Sequence, residues 1–125
     1  WSLNILAAWS AVLYPCLQAC EDLRHAFGPT LRIKDEEQKK LAREKVVAET
    51  LPTWAATLNE QVGEGPFLAG DSLNVADIKL WSVVRWLTGG KLDHVSTECL
   101  DEYPAIKKHF AAVNEHDGVK SWYAK

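Results

Sequence analysis

A strongly apolar segment occupies positions 75–87 of the chain, and it has too few polar residues to form a hydrophilic face. This pattern is typical of a helix that is buried on all sides. Asn74 precedes the segment and is a favoured N-cap residue, while Asp77 can accept a hydrogen bond from the backbone of Asn74. Leu73 and Ile78 add a hydrophobic staple to this capping box. The pattern predicts a central buried helix that starts at Asn74.

The first twenty positions contain no charged residue, which raises the question of a membrane-spanning segment. Pro15 interrupts the stretch and no Lys or Arg precedes it, so neither a membrane span nor a leader peptide is expected. We expect a buried helix instead, broken or kinked near Pro15 and resuming over positions 16–27. Cys16 and Cys20 would then share one helix face as buried thiols, since the chain offers no second pair to complete a metal site.

Positions 35–62 carry apolar residues at spacings of three and four, which predicts a long amphipathic helix. Pro52 lies inside this pattern and should bend the helix. The charged run over positions 36–45 is interpreted as a solvated helix face and not as a binding patch.

The last third of the chain predicts two more helices. One covers positions 101–114 and is stopped by Gly118, and a short one over positions 119–124 docks through Val119 and Trp122. Because no stretch shows the period-two alternation of a strand, we expect an all-α fold, a bundle of about five helices.

Composition limits the classes of function. With 125 residues, of which 47% are hydrophobic, the chain can bury one substantial core. The net charge is −3 and no dense basic cluster is present, so nucleic acid is not an expected partner. Three cysteines suit a reducing, cytoplasmic setting. The sequence has no Met and opens on Trp1, which predicts that it is part of a longer chain.

Self-contained catalytic chemistry is nearly absent from the sequence. The four histidines lack zinc-ligand spacing, and no nucleophile elbow is present. Cys99 beside Asp101 could be a nucleophile and Asp93 with His94 a relay pair, but a packing thiol and a loop-capping Asp are the simpler interpretations. We therefore expect no catalytic residue and no metal site in this chain, which should not be an enzyme on its own.

Several motifs together carry a family resemblance. Besides the capping box of Asn74 and Asp77, they are Thr50-Leu51-Pro52-Thr53-Trp54, Gly65-Pro66-Phe67-Leu68-Ala69-Gly70-Asp71, Gly90-Lys91-Leu92-Asp93-His94-Val95, Tyr103-Pro104 with Ile106, and Val119-Lys120-Ser121-Trp122. Their order and spacing over positions 16–125 resemble the C-terminal helical domain of glutathione transferases, nearest to the sigma-like members. The resemblance implies one such domain over positions 1–125, with an N-terminal thioredoxin-like domain missing from the sequence.

In this family the thioredoxin-like domain binds glutathione and stabilises its thiolate. The resemblance therefore implies a cytoplasmic, dimeric detoxification enzyme that conjugates glutathione, as co-substrate, to apolar electrophiles. The helical domain would supply the dimer surface and the wall of the hydrophobic substrate pocket. On the family pattern that wall falls at Arg24, Phe27 and Gly28, with Trp122 and Tyr123 as further candidates.

The resemblance assigns Asp22 a separate role. In sigma-like relatives an Asp at this position reaches across the dimer interface to the amino group of glutathione held by the neighbouring subunit, and a carboxylate suits an ammonium group. The alternative for Asp22 is a solvated helix face. For the whole protein, the alternatives are a non-catalytic protein-interaction module, as attached to translation factors, and a glutathione-dependent isomerase or peroxidase. An uninterrupted exposed apolar face would favour the module.

Overall fold

The computed structural model describes the backbone of residues 2–62, 66–68 and 72–123, and side chains from position 13 onward. The α-helices are α1 (Ser2–Phe27), α2 (Glu36–Lys45), α3 (Leu51–Val62), α4 (Val75–Thr88), α5 (Pro104–Glu115) and α6 (Asp117–Tyr123). A π-helical turn over Val46–Thr50 joins α2 to α3, so the described chain contains five helical rods. The predicted all-α bundle is confirmed. Predicted positions 65, 69–71 and 124 lie outside the described residues.

Helix α1 runs through Pro15 without interruption, so of the two predicted outcomes at this residue, a break or a kink, the break is wrong. Proline removes a single backbone hydrogen bond from the helix. The side chains that follow bury a stripe at spacings of three and four, which holds the helix against the core. The buried residues of this stripe are Leu13, Cys16, Cys20, Leu23 and Phe27. None of the helices in the described part of the chain combines the length and apolar character needed to cross a lipid bilayer.

The rod formed by α2, the π-helical turn and α3 has Asp35 as its N-cap. The Asp35 carboxylate accepts hydrogen bonds from the backbone N–H groups of Glu37 and Gln38 at 2.9 and 3.2 Å. The irregular turn over Val46–Thr50 lies directly before Pro52. Since Pro52 has no N–H to donate to the preceding turn, the helix widens there, and the N–H of Leu51 bonds to the carbonyl of Val46. The predicted helix over 35–62 is thus present, with its irregularity next to the proline.

Helix α4 is the central element, but it is not buried on all sides as its apolar sequence predicted. Val75 is 66% exposed, and Ser82 and Arg85 are also exposed. Helices α1 and α5 both pack against α4. An exposed strip remains between its packed sides. The buried residues of α4 are Ala76, Asp77, Leu80, Trp81, Val83, Val84 and Leu87.

The two C-terminal helices differ in detail from the prediction. Helix α5 starts with Pro104 at its first position, because turns occupy positions 97–102. Gly118 does not stop it, since α5 ends at Glu115 and Gly118 lies within α6. Helix α6 docks through Val119, which is 8% exposed, whereas Trp122 is 69% exposed and is not a buried anchor.

Candidate functional site

The capping box at the start of α4 is present as predicted. The side-chain oxygen of Asn74 accepts hydrogen bonds from the N–H groups of Ala76 and Asp77 at 2.9 and 3.2 Å. The Asp77 carboxylate returns the bond by accepting from the N–H of Asn74 at 3.0 Å. Leu73 and Ile78, the predicted staple, pack against the same small apolar cluster. The box therefore fixes where α4 begins.

Asp77 also joins α4 to two other parts of the chain. Its Oδ1 accepts a hydrogen bond from the N–H of Leu68 at 2.8 Å and lies 2.8 Å from Nε2 of His109 on α5. The side chains of Asp77 and His109 are fully buried. His109 was not singled out from the sequence, because its partner lies 32 positions away. This network is structural, since neither side chain reaches a surface depression.

A surface depression of about 500 Å³ lies between the C-terminal end of α1 and α4. Arg24 and Gly28, two of the predicted pocket residues, line it together with Trp86. Val83, which is 3% exposed, contributes to its floor. A Cβ atom added at Gly28 would meet no atom within 4 Å, so the missing side chain leaves the depression open.

Phe27, the third residue assigned to this wall, is fully buried and does not line the depression. Its ring meets the ring of Trp86 edge to face, with centroids 5.6 Å apart and an interplanar angle of 86°. Such aromatic pairs favour this geometry. Phe27 therefore supports the wall from behind by fixing Trp86.

Trp122 and Tyr123 lie at a different depression, of about 330 Å³, together with Leu73 and Ile78. Tyr123 also lines a third depression, of about 420 Å³, which shares Ser82 and Trp86 with the first. We call the first and third depressions together the α4 trough. Its side chains include Arg24, Leu31, Lys79, Ser82, Val83, Arg85, Trp86, Lys91 and Tyr123. The residues of α4 in this trough were missed because the sequence predicted a buried helix.

Glu21 neutralises part of the charge beside the trough. Its carboxylate accepts hydrogen bonds from Nζ of Lys79 and, at 3.1 Å, from Arg24, while His25 lies 3.8 Å away. The hydrogen bond from Lys79, supported by the charge of Arg24, holds the pKa of Glu21 below its ordinary value. Glu21 is thus already paired within the chain.

Asp22 faces a different side of α1. Its carboxylate is exposed and accepts a hydrogen bond from Nε2 of Gln18 at 3.2 Å, but among the described residues it forms no ion pair. It lines a groove of about 450 Å³ between α1 and α3, which Glu49 and Thr53 also line. Each step along a helix rotates the side chain by about 100° around the axis. Asp22 and Arg24 are two steps apart, so their side chains lie on nearly opposite sides of α1. The acid and the α4 trough therefore serve different surfaces.

The remaining candidates for chemistry are occupied or inert. Cys16 and Cys20 are fully buried, and the hydrogen bond between the two thiols raises the pKa of Cys20. Burial raises the pKa of the Cys99 thiol above its ordinary value, which disfavours the reactive thiolate form. His94 lies 3.2 Å from the carboxylate of Glu36. Among the described residues, no group of three His, Cys, Asp or Glu side chains is placed to hold a metal ion.

Arg43 corrects the interpretation of the charged run on α2 as a solvated face. It is 4% exposed, and it donates hydrogen bonds to Oγ1 of Thr30 at 3.1 Å and to the carbonyl of Asp93 at 2.9 Å. The Thr30 hydroxyl in turn donates to the carbonyl of Phe27 at 2.6 Å. These hydrogen bonds of Arg43 and Thr30, which we call the Arg43 clamp, hold the turn Gly28–Arg32 in place. Leu31 of this turn lies at the rim of the trough. One sequence feature could have indicated this, because position 43 continues the apolar face backward from 47 and 51.

The domain is a helical bundle whose central helix begins at a capping box, and a trough lies between this helix and the end of α1. A family model for the glutathione S-transferase C-terminal domain matches residues 21–125. The chain belongs to the family of glutathione S-transferase C-terminal domains. Searches of curated proteins and of solved structures find no match.

Proposed function

We propose that this domain is the helical half of a glutathione transferase that conjugates glutathione to apolar electrophiles. The observation that carries the proposal is the first depression of the α4 trough. Trp86 and Val83 line this depression beside Arg24 and Gly28. These last two are positions at which the resemblance to the glutathione transferase family leads us to expect the substrate wall. The volume of the depression, about 500 Å³, lies in the range of small-molecule sites.

The proposed reaction has two requirements, a stabilised glutathione thiolate and a positioned electrophile. Conjugation needs a glutathione thiolate, whose sulfur attacks the electrophilic carbon and displaces the leaving group with its bonding electrons. In the family to which this chain belongs, a thioredoxin-like domain binds glutathione and stabilises its thiolate. We therefore assign thiolate stabilisation to an upstream thioredoxin-like domain, and we assign to this domain the positioning of the electrophile against that sulfur.

We further propose that the protein is a cytoplasmic homodimer, in which Asp22 binds the amino group of glutathione held by the partner subunit. The position of Asp22 supports this role in two ways. Its carboxylate has no cationic partner among the described residues, whereas that of the adjacent Glu21 is fully engaged. It also lies away from the trough, so one subunit could serve the two ligands on separate surfaces.

The pocket is tested by Ser82→Phe in the protein with its upstream segment. Ser82 is exposed and lines both depressions of the trough, so a large side chain at this position would occupy substrate volume without disturbing the core. We expect the KM for a neutral aromatic electrophile to rise about tenfold, as for the loss of roughly 1.4 kcal/mol of binding, with the KM for glutathione nearly unchanged.

The matched control is Ala111→Phe, which places the same side chain at an exposed position of α5. Steady-state kinetics should leave this variant close to the unaltered protein. If Ser82→Phe and Ala111→Phe give the same KM for the electrophile, the trough is not the substrate site.

The role of Asp22 is tested by Asp22→Asn, which keeps the shape of the side chain and removes its charge. We expect the KM for glutathione to rise about two- to fivefold, the range for losing one exposed ion pair, with a smaller change in the KM for the electrophile. Asp93→Asn, at another exposed Asp, is the control. An unchanged KM for glutathione would show that Asp22 does not bind glutathione and is only part of a solvated helix face.

A further inference from the structure

We propose that the α4 trough selects electrophiles that carry an anionic group, such as a carboxylate or sulfonate, on an apolar body. The inference rests on the proposed transferase function and adds the charge of the substrate to it. It follows from the charges that line the trough, the fixed position of one of them and the apolar surface beside them.

The charge of the trough is opposite to that of the whole chain. The chain has a net charge of −3, with 17 acidic and 14 basic residues. Among the described residues that line the trough, however, the cations are Arg24, Lys79, Arg85 and Lys91, and none is an Asp or Glu. Glu21 lies at its edge and pairs with the first two. An excess of positive charge in a concave site attracts anions.

Arg85 and Lys91 are the cations that remain available. Both are exposed at the third depression, and neither forms an ion pair with a described residue. An anionic group bound there would therefore gain a partner without displacing an existing carboxylate. This end of the trough is the part where the negative group of a substrate is expected to lie.

The guanidinium of Arg85 is held in place by two aromatic rings. It lies 5.3 Å from the ring centroid of Trp81 and 4.8 Å from that of Tyr123. Trp81 is itself fixed, because its indole N–H donates to Asn114 at 2.8 Å and its ring stacks on Phe110 at 6.3 Å. Cation–π contacts restrain the guanidinium plane and leave its N–H edge free for a carboxylate. Arg85 is therefore more ordered than a surface Arg without such contacts.

The apolar part of the substrate has a place in the first depression. Val83 contributes to its floor, Trp86 to its wall, and Leu31, which is 60% exposed, to its rim. Because Ser82 and Trp86 line both depressions, the two spaces adjoin. One molecule can therefore place its apolar, reactive ring in the first depression and its anionic group in the third.

The test compares a chloronitrobenzoate with its methyl ester in the protein that carries its upstream segment. Both lose chloride when the glutathione thiolate forms the new carbon–sulfur bond, and they differ in the negative charge. The readout is the ratio of kcat/KM for the acid to that for the ester, which cancels effects on the shared chemistry. We expect Arg85→Gln and Lys91→Gln each to lower this ratio about two- to fivefold, as for an exposed ion pair.

Two further variants separate charge from other effects. Arg85→Lys keeps the positive charge and should retain most of the ratio. Lys40→Gln removes the same charge from an exposed position of α2 outside the trough and should leave the ratio unchanged. The inference is overturned if the ratio is the same in Arg85→Gln, Lys91→Gln and the unaltered protein, or if Lys40→Gln lowers it as much.

A binding measurement separates failure of this inference from failure of the transferase function. If the unaltered protein conjugates neither compound, the proposed function is wrong, and the trough is then titrated with anilinonaphthalene sulfonate, an aromatic anion that fluoresces when bound. A Kd that rises in Arg85→Gln and Lys91→Gln, but not in Lys40→Gln, supports an anion-selective trough without catalysis. A Kd that is the same in all of them overturns the trough as an anion site.

Discussion

Asp77 and Glu21 each connect α4 to another part of the chain through a carboxylate, but in opposite surroundings. Asp77 is fully buried and bonds to two backbone N–H groups and to His109. Glu21, on α1, lies at the surface and pairs with Lys79 of α4 and with Arg24. Water and salt screen the second group of contacts and leave the first almost untouched. The same chemistry therefore has different consequences at the two places.

The comparison shows how α4 can serve both the fold and the site. Its buried start is tied to its neighbours by bonds that water cannot replace, since an unpaired polar group there would be costly. Its exposed strip carries charges that contribute little to stability and are therefore free to set the electrostatic field of the trough. The predictions below test this separation, beginning with the largest expected effect.

Replacing Asp77 should destabilise the protein most. Asp77→Ala removes the acceptor for the N–H groups of Leu68 and Asn74 and leaves His109 without its buried partner. We expect the free energy of unfolding to fall by about 3 kcal/mol or more, since each buried donor left without its acceptor costs about 1–3 kcal/mol. Urea unfolding followed by tryptophan fluorescence measures this change. Asp93→Ala, at an exposed site, is the control; a similar small loss in both variants would contradict the central role of Asp77.

Arg43 lies between the two extremes, as a buried cation that bonds to a hydroxyl and a carbonyl. Arg43→Met keeps the length of the side chain but abolishes the hydrogen bonds to Thr30 and Asp93. We expect a loss of about 1–3 kcal/mol in the free energy of unfolding, because buried acceptors lose their donor. Lys40→Met, at an exposed position of the same helix, should change it little. Equal stability of the two variants would show that Arg43 is not a clamp.

Glu21 should give the smallest effect, and one that depends on pH. The pKa of Glu21 is held below its ordinary value of 4.5, chiefly by the hydrogen bond from Lys79. The folded state thus binds this proton less tightly than the unfolded state does, so the contribution to stability is complete above about pH 4.5 and is lost as pH falls through the lower folded pKa.

Unfolding of the unaltered protein and of Glu21→Gln at neutral and acidic pH measures this contribution. The unaltered protein should be slightly more stable at neutral pH, and the difference should disappear once Glu21 is protonated. Glu44→Gln, at an exposed acid with no ion pair among the described residues, should show no such convergence. A difference that grows toward acidic pH would contradict the lowered pKa of Glu21.

The sequence predicted the features that depend on residues close together in the chain. The capping box of Asn74 and Asp77 spans three positions, and the helices follow from spacings of three and four. In contrast, the bonds from Asp77 to His109, from Arg43 to Asp93 and from Lys79 to Glu21 join residues 32, 50 and 58 positions apart. Such pairs depend on how the helices pack, and no local pattern indicates them.

The same limit applies to the candidate site. Arg24 and Gly28 lie at the α4 trough, where the resemblance placed the substrate wall, but Phe27 lies behind it. Residues of α4 form the other side of the trough. Their exposure was not predicted, because the apolar composition of α4 indicated a fully buried helix. Ser82 and Arg85 interrupt the apolar sequence of this helix, and in retrospect they mark the strip.

Glutathione conjugation by the protein together with the proposed upstream domain tests the central claim most directly. The rate with a neutral aromatic chloride is measured as the glutathione concentration is raised, and the uncatalysed rate is subtracted. If the domain is the helical half of a transferase, the remaining rate is well above zero and saturates with glutathione. A rate equal to the uncatalysed one at every glutathione concentration would contradict the account and would favour the protein-interaction module.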